Sequence, residues 1–238
     1  YLPEGIKMDG VSSKVIRNLG YPLRREFRRI PRERARRSLG VSSTERLLVV
    51  LGGSQGATSL NQWVKDHLEA FASDGVSVYC LTGMGNESSG VVEMTGPDGS
   101  SVPMRFVPFS DEMSTVLSAA DLVISRAGAG SISEIIRCRV PSILVPYPFA
   151  ADDHQALNAS FIEQKGAAIV CPQDRIEELL FEEAREVMFN EEFRAVLRRN
   201  LVATDPGDVV SEIVFDVTNV LKESGNRDVI AGALPFAG

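Results

Sequence analysis

A short apolar segment that runs into a turn of small residues and then into a helical pattern most constrains the fold of this chain. Leu122 to Ile124 has the continuous apolar pattern of a buried parallel strand, and Ala127 to Gly130 follows with almost no side-chain bulk. Ser131 and Glu134 stand at the Ser-x-x-Glu spacing of a capping box, which predicts a helix start. The N–H groups of a helix start favour an anion such as phosphate. A purely structural role for Glu134, as the third residue of the capping box, remains open beside a ligand-binding role.

A second segment has the same order of strand, glycine turn and helix. Leu47 to Leu51 is the clearest buried strand, and it leads into the Gly-Gly-Ser-Gln-Gly-Ala segment from Gly52 to Ala57. Apolar residues then recur at helical spacing, at Leu60, Val64, Leu68 and Phe71. Such a turn can cradle a phosphate with its backbone N–H groups, so both segments predict anion binding.

The second turn does not match two familiar phosphate-binding motifs. No Lys follows its last Gly, which excludes a Walker A loop, and Leu51 stands where a dinucleotide fingerprint needs its first Gly. The strand expected from Val76 to Leu81 ends in Thr82 and Gly83, without the Asp or Glu that holds an adenine ribose. A nicotinamide oxidoreductase is therefore a disfavoured alternative.

Strand and helix patterns alternate along the rest of the chain. Weak or short strands are expected at residues 14–17, 104–107 and 168–170, and the Gly-, Ser- and Glu-rich residues 87–101 are interpreted as a surface excursion. Helices are expected over residues 111–120, with Asp111 as the cap, and over 155–165, 175–189, 191–200 and 209–222. This alternation predicts an α/β fold with a doubly wound parallel sheet, whose ligands bind beyond the carboxyl ends of the strands. The two glycine turns should therefore face one crevice.

Composition excludes several classes of protein. The 238 residues include 44% apolar and 24% charged residues, as in an ordinary soluble globular protein, and the net charge of -7 argues against a nucleic-acid partner. Cys80, Cys138 and Cys171 are too few and too scattered for a disulfide framework or a zinc site, which favours a reducing cytosol. No apolar segment approaches the roughly 20 residues that span a bilayer.

Arginine is concentrated between residues 24 and 37. The arginines are Arg24, Arg25, Arg28, Arg29, Arg32, Arg34, Arg36 and Arg37. Glu26 and Glu33 interleave with them and Gly40 follows, which predicts a short surface helix whose arginines mostly face solvent. Binding of phosphates or lipid headgroups by the cluster is the alternative interpretation.

Four motifs in one order resemble the carboxyl half of the bacterial MurG family. They are Gly20-x-Pro-x-Arg24, the glycine segment from Gly52 to Ala57, Gly128-Ala-Gly-Ser-Ile-Ser-Glu134 and Asp153-His-Gln155. The resemblance covers residues 20–222 and implies the Rossmann-like carboxyl-terminal domain of a GT-B glycosyltransferase. That family transfers GlcNAc from UDP-GlcNAc to undecaprenyl-linked MurNAc-pentapeptide, the step from lipid I to lipid II of peptidoglycan synthesis.

The resemblance also implies a set of substrate-binding residues. They are Arg24, Gly53, Ser54, Gln55, Gly56, Ser110, Ala129, Gly130, Ser131, Glu134, His154 and Gln155. By this resemblance, the carboxylate of Glu134 would accept hydrogen bonds from the two ribose hydroxyls. Arg24, Ser54 and residues 129–131 would contact the pyrophosphate and stabilise charge on the departing UDP.

The remaining implied contacts concern the sugar and the base. Gln155, with His154 beside it, would contact the sugar hydroxyls, while the Ser110 backbone would pair with uracil and Phe109 would pack near it. The chain departs from the family pattern at two of these positions. Familiar members carry an apolar residue in place of Ser110 and a second Gln in place of His154.

No catalytic residue, metal or cofactor is expected in this chain. The resemblance implies an inverting, metal-independent transferase whose base lies in an amino-terminal domain that has no match here. Asp152 and Asp153 are adjacent rather than in an Asp-x-Asp metal motif, and capping of the next helix is their structural alternative. The only other histidine, His67, is interpreted as a surface residue.

The expected organisation follows from the same resemblance. Residues 1–19 would be a remnant of the missing amino-terminal acceptor domain, 20–40 a linker with the Arg-rich helix, 41–222 the UDP-GlcNAc-binding domain and 223–238 a loose tail. The chain starts at Tyr1 rather than Met, so we expect a processed or partial chain that binds the donor without transferring it.

The expected partners are UDP-GlcNAc, the undecaprenyl-linked acceptor through the missing domain, and the membrane surface. These partners imply a cytoplasmic protein at the inner face of the plasma membrane. An alternative is the soluble donor-binding subunit of a two-chain dolichol-type GlcNAc transferase, although the glycine segment from Gly52 to Ala57 favours the bacterial family.

Overall fold

The computed structural model describes residues 19–24, 27–52, 58–84, 89–150 and 153–223. The chain divides into two compact units, one formed by Phe27–Asp205 and one that combines segments 1–26 and 206–238. The strand candidate at 14–17 and residues 224–238 of the expected tail lie outside the described residues. The expected boundaries at residues 19, 40 and 222 stay predictions.

The larger unit is built on a single sheet of seven strands among the described residues. The strands are β1 (Arg46–Leu51), β2 (Val76–Leu81), β3 (Gly90–Thr95), β4 (Ser101–Val107), β5 (Leu122–Ser125), β6 (Ser142–Leu144) and β7 (Ile169–Val170). Their order across the sheet is β3-β4-β2-β1-β5-β6-β7. Every neighbouring pair is parallel except β3 with β4, which confirms the doubly wound parallel sheet.

Helices connect and cover these strands. They are α1 (Arg32–Leu39), α2 (Thr58–Asp66), α3 (Leu68–Ser73), α4 (Met113–Ala119), α5 (Ala129–Cys138), α6 (His154–Gln164), α7 (Phe181–Phe189) and α8 (Glu191–Thr204). Helix α9 (Val209–Glu223) belongs to the smaller unit. A 3₁₀ turn at Gln173–Arg175 and a π-helical turn at Ile176–Leu180 precede α7. Leu47 to Val50 of β1 are fully buried, because a central parallel strand is covered on both faces.

The interpretation of residues 87–101 as a surface excursion is wrong at residues 90–95 and at residue 101, which belong to strands. Residues 90–95 form β3, an antiparallel edge strand that pairs with β4, and β4 begins at Ser101 rather than at residue 104. A tight turn joins the two strands, with the Gly96 N–H bonded to Ser100 O at 2.8 Å and Gly99 at φ 79°. The strand reads Gly-Val-Val-Glu-Met-Thr and most of its side chains are exposed, so it lacks the continuous apolar segment by which the buried strands were found.

The expected helix ends need several corrections. Helix α4 begins at Met113 with Glu112 as its N-cap residue and no side-chain cap, so Asp111 does not cap it. The helical spacing of apolar residues from Leu60 to Phe71 covers two helices rather than one, because the helix is interrupted at His67, between α2 and α3. Helix α8 continues four residues past Asn200, to Thr204. By contrast, α6 and its stop at Gly166, which has φ 63°, agree with the prediction to within one residue.

His67 is a structural residue rather than a surface one. Its half-buried ring stacks on Trp63, with centroids 4.6 Å apart, and on Phe181 at 5.4 Å. Its Nδ1 lies 2.8 Å from Trp63 O. Contacts from α7, more than a hundred residues away in sequence, cover the ring, and the local sequence could not show them.

The Arg-rich segment contains one buried arginine among exposed ones. Arg28, Arg34 and Arg37 are exposed, as predicted, whereas Arg36 is only 2% exposed and forms an ion pair with buried Asp121. Arg36 also donates to four backbone carbonyls, those of Ala119, Ser42, Ser43 and Glu45. The prediction of a solvated helix face is therefore wrong for Arg36, which ties α1 to the amino-terminal end of β5.

The three cysteines are free and buried. Burial raises the pKa of the Cys80 thiol to about 12 and that of Cys138 to about 11, so neither is a reactive thiolate at neutral pH. Among the described residues, no helix combines the length and apolar character needed to cross a lipid bilayer.

Candidate functional site

The turn between β5 and α5 lies at the carboxyl end of the sheet. Strand β5 ends at Ser125, and α5 begins at Ala129 with Gly128 as its N-cap residue in an extended conformation. Gly128 O accepts the first helical hydrogen bond, from Ile132 N at 3.0 Å. The first N–H groups of an α-helix have no partner within the helix, so residues 129–131 present backbone donors at this end. This geometry fits an anion.

The predicted capping box is wrong. Because α5 begins at Ala129, Ser131 is its third residue and Glu134 its sixth, and the Gly128 N-cap has no side-chain hydrogen bond. Helical side chains lean toward the helix N-terminus, and residues three or four apart share a face. Half-buried Glu134 therefore lies on the same face as Gly130 and Ser131, one turn behind the backbone donors. The capping role is removed as an explanation of Glu134.

Strands β1 and β5 end side by side. Leu51 and Ser125 are register partners, so the two turns that follow them leave neighbouring strands at the same level. The predicted contacts Gly53, Ser54, Gln55 and Gly56 lie outside the described residues, between β1 and the start of α2 at Thr58. The strand ends are thus adjacent as predicted, while the contacts of the glycine turn stay predictions.

Arg126 is a site residue that the sequence reasoning missed. It follows β5 directly and is 8% exposed, and its guanidinium donates to Val145 O at 3.1 Å and to Ser59 Oγ at 2.9 Å. These bonds join the β5 end to the β6 end and to the first turn of α2. Burial lowers the pKa of Arg126 from its ordinary value. A lone charged residue between an apolar strand and a small-residue turn was the signal that could have identified it.

Gln155 bridges two loops at this end of the sheet. It lies on the first turn of α6, and its Oε1 accepts from Ala127 N at 3.2 Å and from Tyr147 N at 3.0 Å. His154 is exposed beside it. Asp153, the N-cap residue of α6 at φ 51°, makes no side-chain cap, so capping is not its role, and Asp152 lies outside the described residues.

Phe109 and Ser110 follow β4 at the carboxyl end of the sheet. Phe109 is 56% exposed, and the half-buried Ser110 accepts from Glu112 N through its Oγ at 3.2 Å. Strands β2 and β1 separate β4 from β5, so this loop lies about 14 Å across the sheet from the β5–α5 turn. A ligand that contacts both the loop after β4 and the β5–α5 turn must extend across the carboxyl ends of the strands.

The comparison with protein families identifies the domain. The model described as "Glycosyltransferase family 28 C-terminal domain" matches residues 47–205, which include all seven strands except the first residue of β1. This chain belongs to that family. The predicted carboxyl-terminal glycosyltransferase fold is therefore confirmed.

Two curated relatives of the family 28 domain carry the same name. A protein of Opitutus terrae, called UDP-N-acetylglucosamine–N-acetylmuramyl-(pentapeptide) pyrophosphoryl-undecaprenol N-acetylglucosamine transferase, is 41% identical over 225 residues. The match covers 94% of this chain and 59% of the relative. A protein of the same name from Carboxydothermus hydrogenoformans is 35% identical over 91% of this chain and 59% of its own length. The chain thus spans a little over half of these relatives.

Solved structures share the fold of the family 28 domain. MurG of Acinetobacter baumannii matches with a TM-score of 0.60 and 23% identity, over 80% of this chain and 53% of that protein. The glycosyltransferase VinC, solved in complex with dTDP, matches with a TM-score of 0.54 and 18% identity, over 82% of this chain and 45% of its own length. At these identities the matches show the fold alone.

Arg24 is the predicted site residue that falls outside the family 28 match. It is exposed and belongs to the smaller unit, whereas the sheet belongs to the larger one. Its predicted contact with the pyrophosphate stays a prediction. Among the described residues, no group of three or more His, Cys, Asp or Glu is placed to hold a metal ion.

Proposed function

We propose that this chain binds UDP-GlcNAc as the donor half of a transferase that converts lipid I to lipid II in peptidoglycan synthesis. The observation that carries the proposal is the start of α5, where backbone donors and Glu134 share one helix face beside the end of β1. Membership of family 28 and the shared name of the curated relatives support the same substrate. The proposed location is the inner face of the plasma membrane.

The proposed division of labour follows the chemistry of the donor. A diphosphate carries negative charge that grows when the bond to the sugar breaks, and N–H groups fixed before the reaction stabilise it at no further cost in reorganisation. Residues 129–131 and the glycine segment before α2 would supply these N–H groups. The carboxylate of Glu134 would accept from both ribose hydroxyls, which selects a ribonucleotide. Ser110 and Phe109 would contact the uracil, about three strand spacings away.

Inversion at the sugar carbon is part of the same proposal. No residue of this chain is assigned the role of base that activates the acceptor hydroxyl. Gln155 and His154 would contact the sugar hydroxyls, and the lipid-linked acceptor would approach from the domain that the relatives carry beyond this match.

Ligand titration tests the proposal. Calorimetry with UDP, UDP-GlcNAc, ADP and NADH should show saturable binding of the two uridine ligands, because Glu134 can hold their ribose and the helix start their diphosphate. ADP shares the ribose and the diphosphate, so weaker binding of ADP would assign selectivity to the uracil contacts. Binding of NADH without binding of UDP would overturn the proposal in favour of an oxidoreductase.

Donor binding is expected to be independent of a divalent cation. Helix N-terminal N–H groups and an arginine neutralise a diphosphate without a metal, so UDP affinity should change less than about twofold between EDTA and millimolar Mg²⁺. The measurement is the same titration in the two buffers, at matched ionic strength. Loss of binding in EDTA that Mg²⁺ restores would contradict this expectation.

A further inference from the structure

Two side chains of α6 hold both backbone polar groups of Ala127. Gln155 Oε1 accepts from Ala127 N at 3.2 Å, and Asn158 Nδ2 donates to Ala127 O at 3.1 Å. The two residues are three apart, so they lie on the same face of α6. Ala127 itself is fully buried. We call this pair of side chains the α6 clamp.

The chemistry of the partners determines how each amide is oriented. One terminal atom of the Gln155 side chain contacts the backbone N–H groups of Ala127 and Tyr147. Because both partners are donors, that terminal atom must be the amide oxygen. The group that contacts Asn158 is a carbonyl, so the Asn158 atom must be the amide nitrogen. The Gln155 oxygen is therefore committed to the protein, and only its NH₂ group can serve a ligand.

The position of Ala127 explains why the clamp matters. Ala127 immediately precedes Gly128, the N-cap residue of α5, and it lies beyond the last residue of β5. Its N–H and C=O are buried outside the regular ladder of the sheet, and a buried backbone group needs a partner. The clamp supplies both partners and so sets the direction in which the N–H groups of residues 129–131 point.

We propose that Asn158 and Gln155 are positioning residues that hold the β5–α5 turn ready for the diphosphate of the donor. This inference rests on the proposed function, and it assigns Gln155 a role before any sugar is bound. It also limits what Gln155 can do for the sugar. Its free NH₂ group donates a hydrogen bond to a hydroxyl oxygen and accepts none.

Asn158 is tested against a matched asparagine elsewhere in the same unit. Asn200, on α8, is also half-buried and donates from Nδ2 to the backbone carbonyl of Gly166 at 2.8 Å, away from the β5–α5 turn. Asn158→Ala should weaken UDP binding by about three- to tenfold, the worth of one hydrogen bond, whereas Asn200→Ala should change it by less than about twofold. Both variants should lose similar stability in urea.

A charge variant separates the hydrogen bond from mere space filling. Asn158→Asp keeps the size of the side chain but turns an oxygen toward Ala127 O, so it should weaken UDP binding more than Asn158→Ala. Asn200→Asp is the matching control. If Asn158→Ala does not fold, Asn158→Ser, which removes less of the side chain, replaces it in the comparison.

Gln155 is tested with UDP, which lacks the GlcNAc of the donor. If Gln155 only contacts the sugar, Gln155→Ala leaves UDP affinity unchanged and weakens only UDP-GlcNAc. The clamp requires that Gln155→Ala weakens UDP as well, by about three- to tenfold.

The outcomes separate the two proposals. Wild-type binding of UDP with unchanged UDP affinity in Asn158→Ala and Gln155→Ala overturns the clamp and leaves the proposed function standing. Failure of the wild type to bind UDP overturns the proposed function and the clamp with it.

Discussion

Arg36→Ala is expected to destabilise the folded protein by about 3–5 kcal/mol, because it leaves a buried carboxylate without its best partner. Arg36 and Asp121 are 2% and 4% exposed, and the guanidinium donates to Asp121 Oδ2 at 2.7 Å. The same change removes donors from the buried carbonyl of Ala119 and from three other backbone carbonyls. Asp121 would keep Arg32, at 2.6 Å, and the N–H of Leu47, which sets the lower end of the range.

The neighbouring arginine is the natural control for Arg36. Arg37→Ala lies on the same helix but replaces an exposed side chain, so it should change stability by no more than about 0.5 kcal/mol. Urea denaturation of the wild type and both variants measures the free energies of unfolding. Equal stability of Arg36→Ala and Arg37→Ala would show that the ion pair does not hold α1 to the sheet.

Glu134→Ala is expected to weaken UDP binding by about 2–3 kcal/mol, roughly 30- to 150-fold, because it removes a charged acceptor from two ribose hydroxyls. Glu134→Gln keeps the shape but replaces charge-assisted bonds with neutral ones, so about 1–2 kcal/mol should be lost. Stability should change by less than about 1 kcal/mol in either variant, since Glu134 is the sixth residue of α5 and caps nothing.

A second helical glutamate distinguishes the ribose contact from a general effect of charge. Glu192 is exposed on α8, and Glu192→Gln changes net charge by the same amount as Glu134→Gln. UDP titration of the three variants, with a urea melt of each, completes the test. Wild-type affinity in Glu134→Gln would rule out the ribose contact.

Patterns of a few residues were enough to predict the sheet. Leu47 to Leu51 and Leu122 to Ile124 are continuous apolar segments, and both are buried strands, because helices cover both faces of a parallel sheet. The edge strand β3 escaped the same reasoning, since Glu93 interrupts its apolar residues and leaves no continuous apolar segment to detect. Its turn, Gly96-Pro-Asp-Gly99, carried a usable signal of turn residues.

The spacing of Ser131 and Glu134 was misleading because α5 begins without a side-chain cap. Ser131 and Glu134 fit a capping box, yet α5 starts two residues before Ser131, with Gly128 as its N-cap residue. Glycine adopts the extended N-cap conformation readily, so a helix can begin there without a side-chain cap. The position of the turn between β5 and α5 was predicted, and the position of Glu134 as the sixth residue of α5 was not.

The sequence by itself determined the alternation of buried strands with helices, the two small-residue segments at strand ends, and the family that those segments resemble. These properties depend on residues within a few positions of one another. Only the tertiary structure decided that Arg36 is buried among the described arginines of the Arg-rich segment, because Asp121 meets Arg36 across 85 positions. It likewise decided that Gln155 and Asn158 hold Ala127, 28 and 31 positions away. A hydrogen bond between distant residues leaves no periodic trace in a single sequence, since its partners are brought together only by the packing of the whole sheet and its helices.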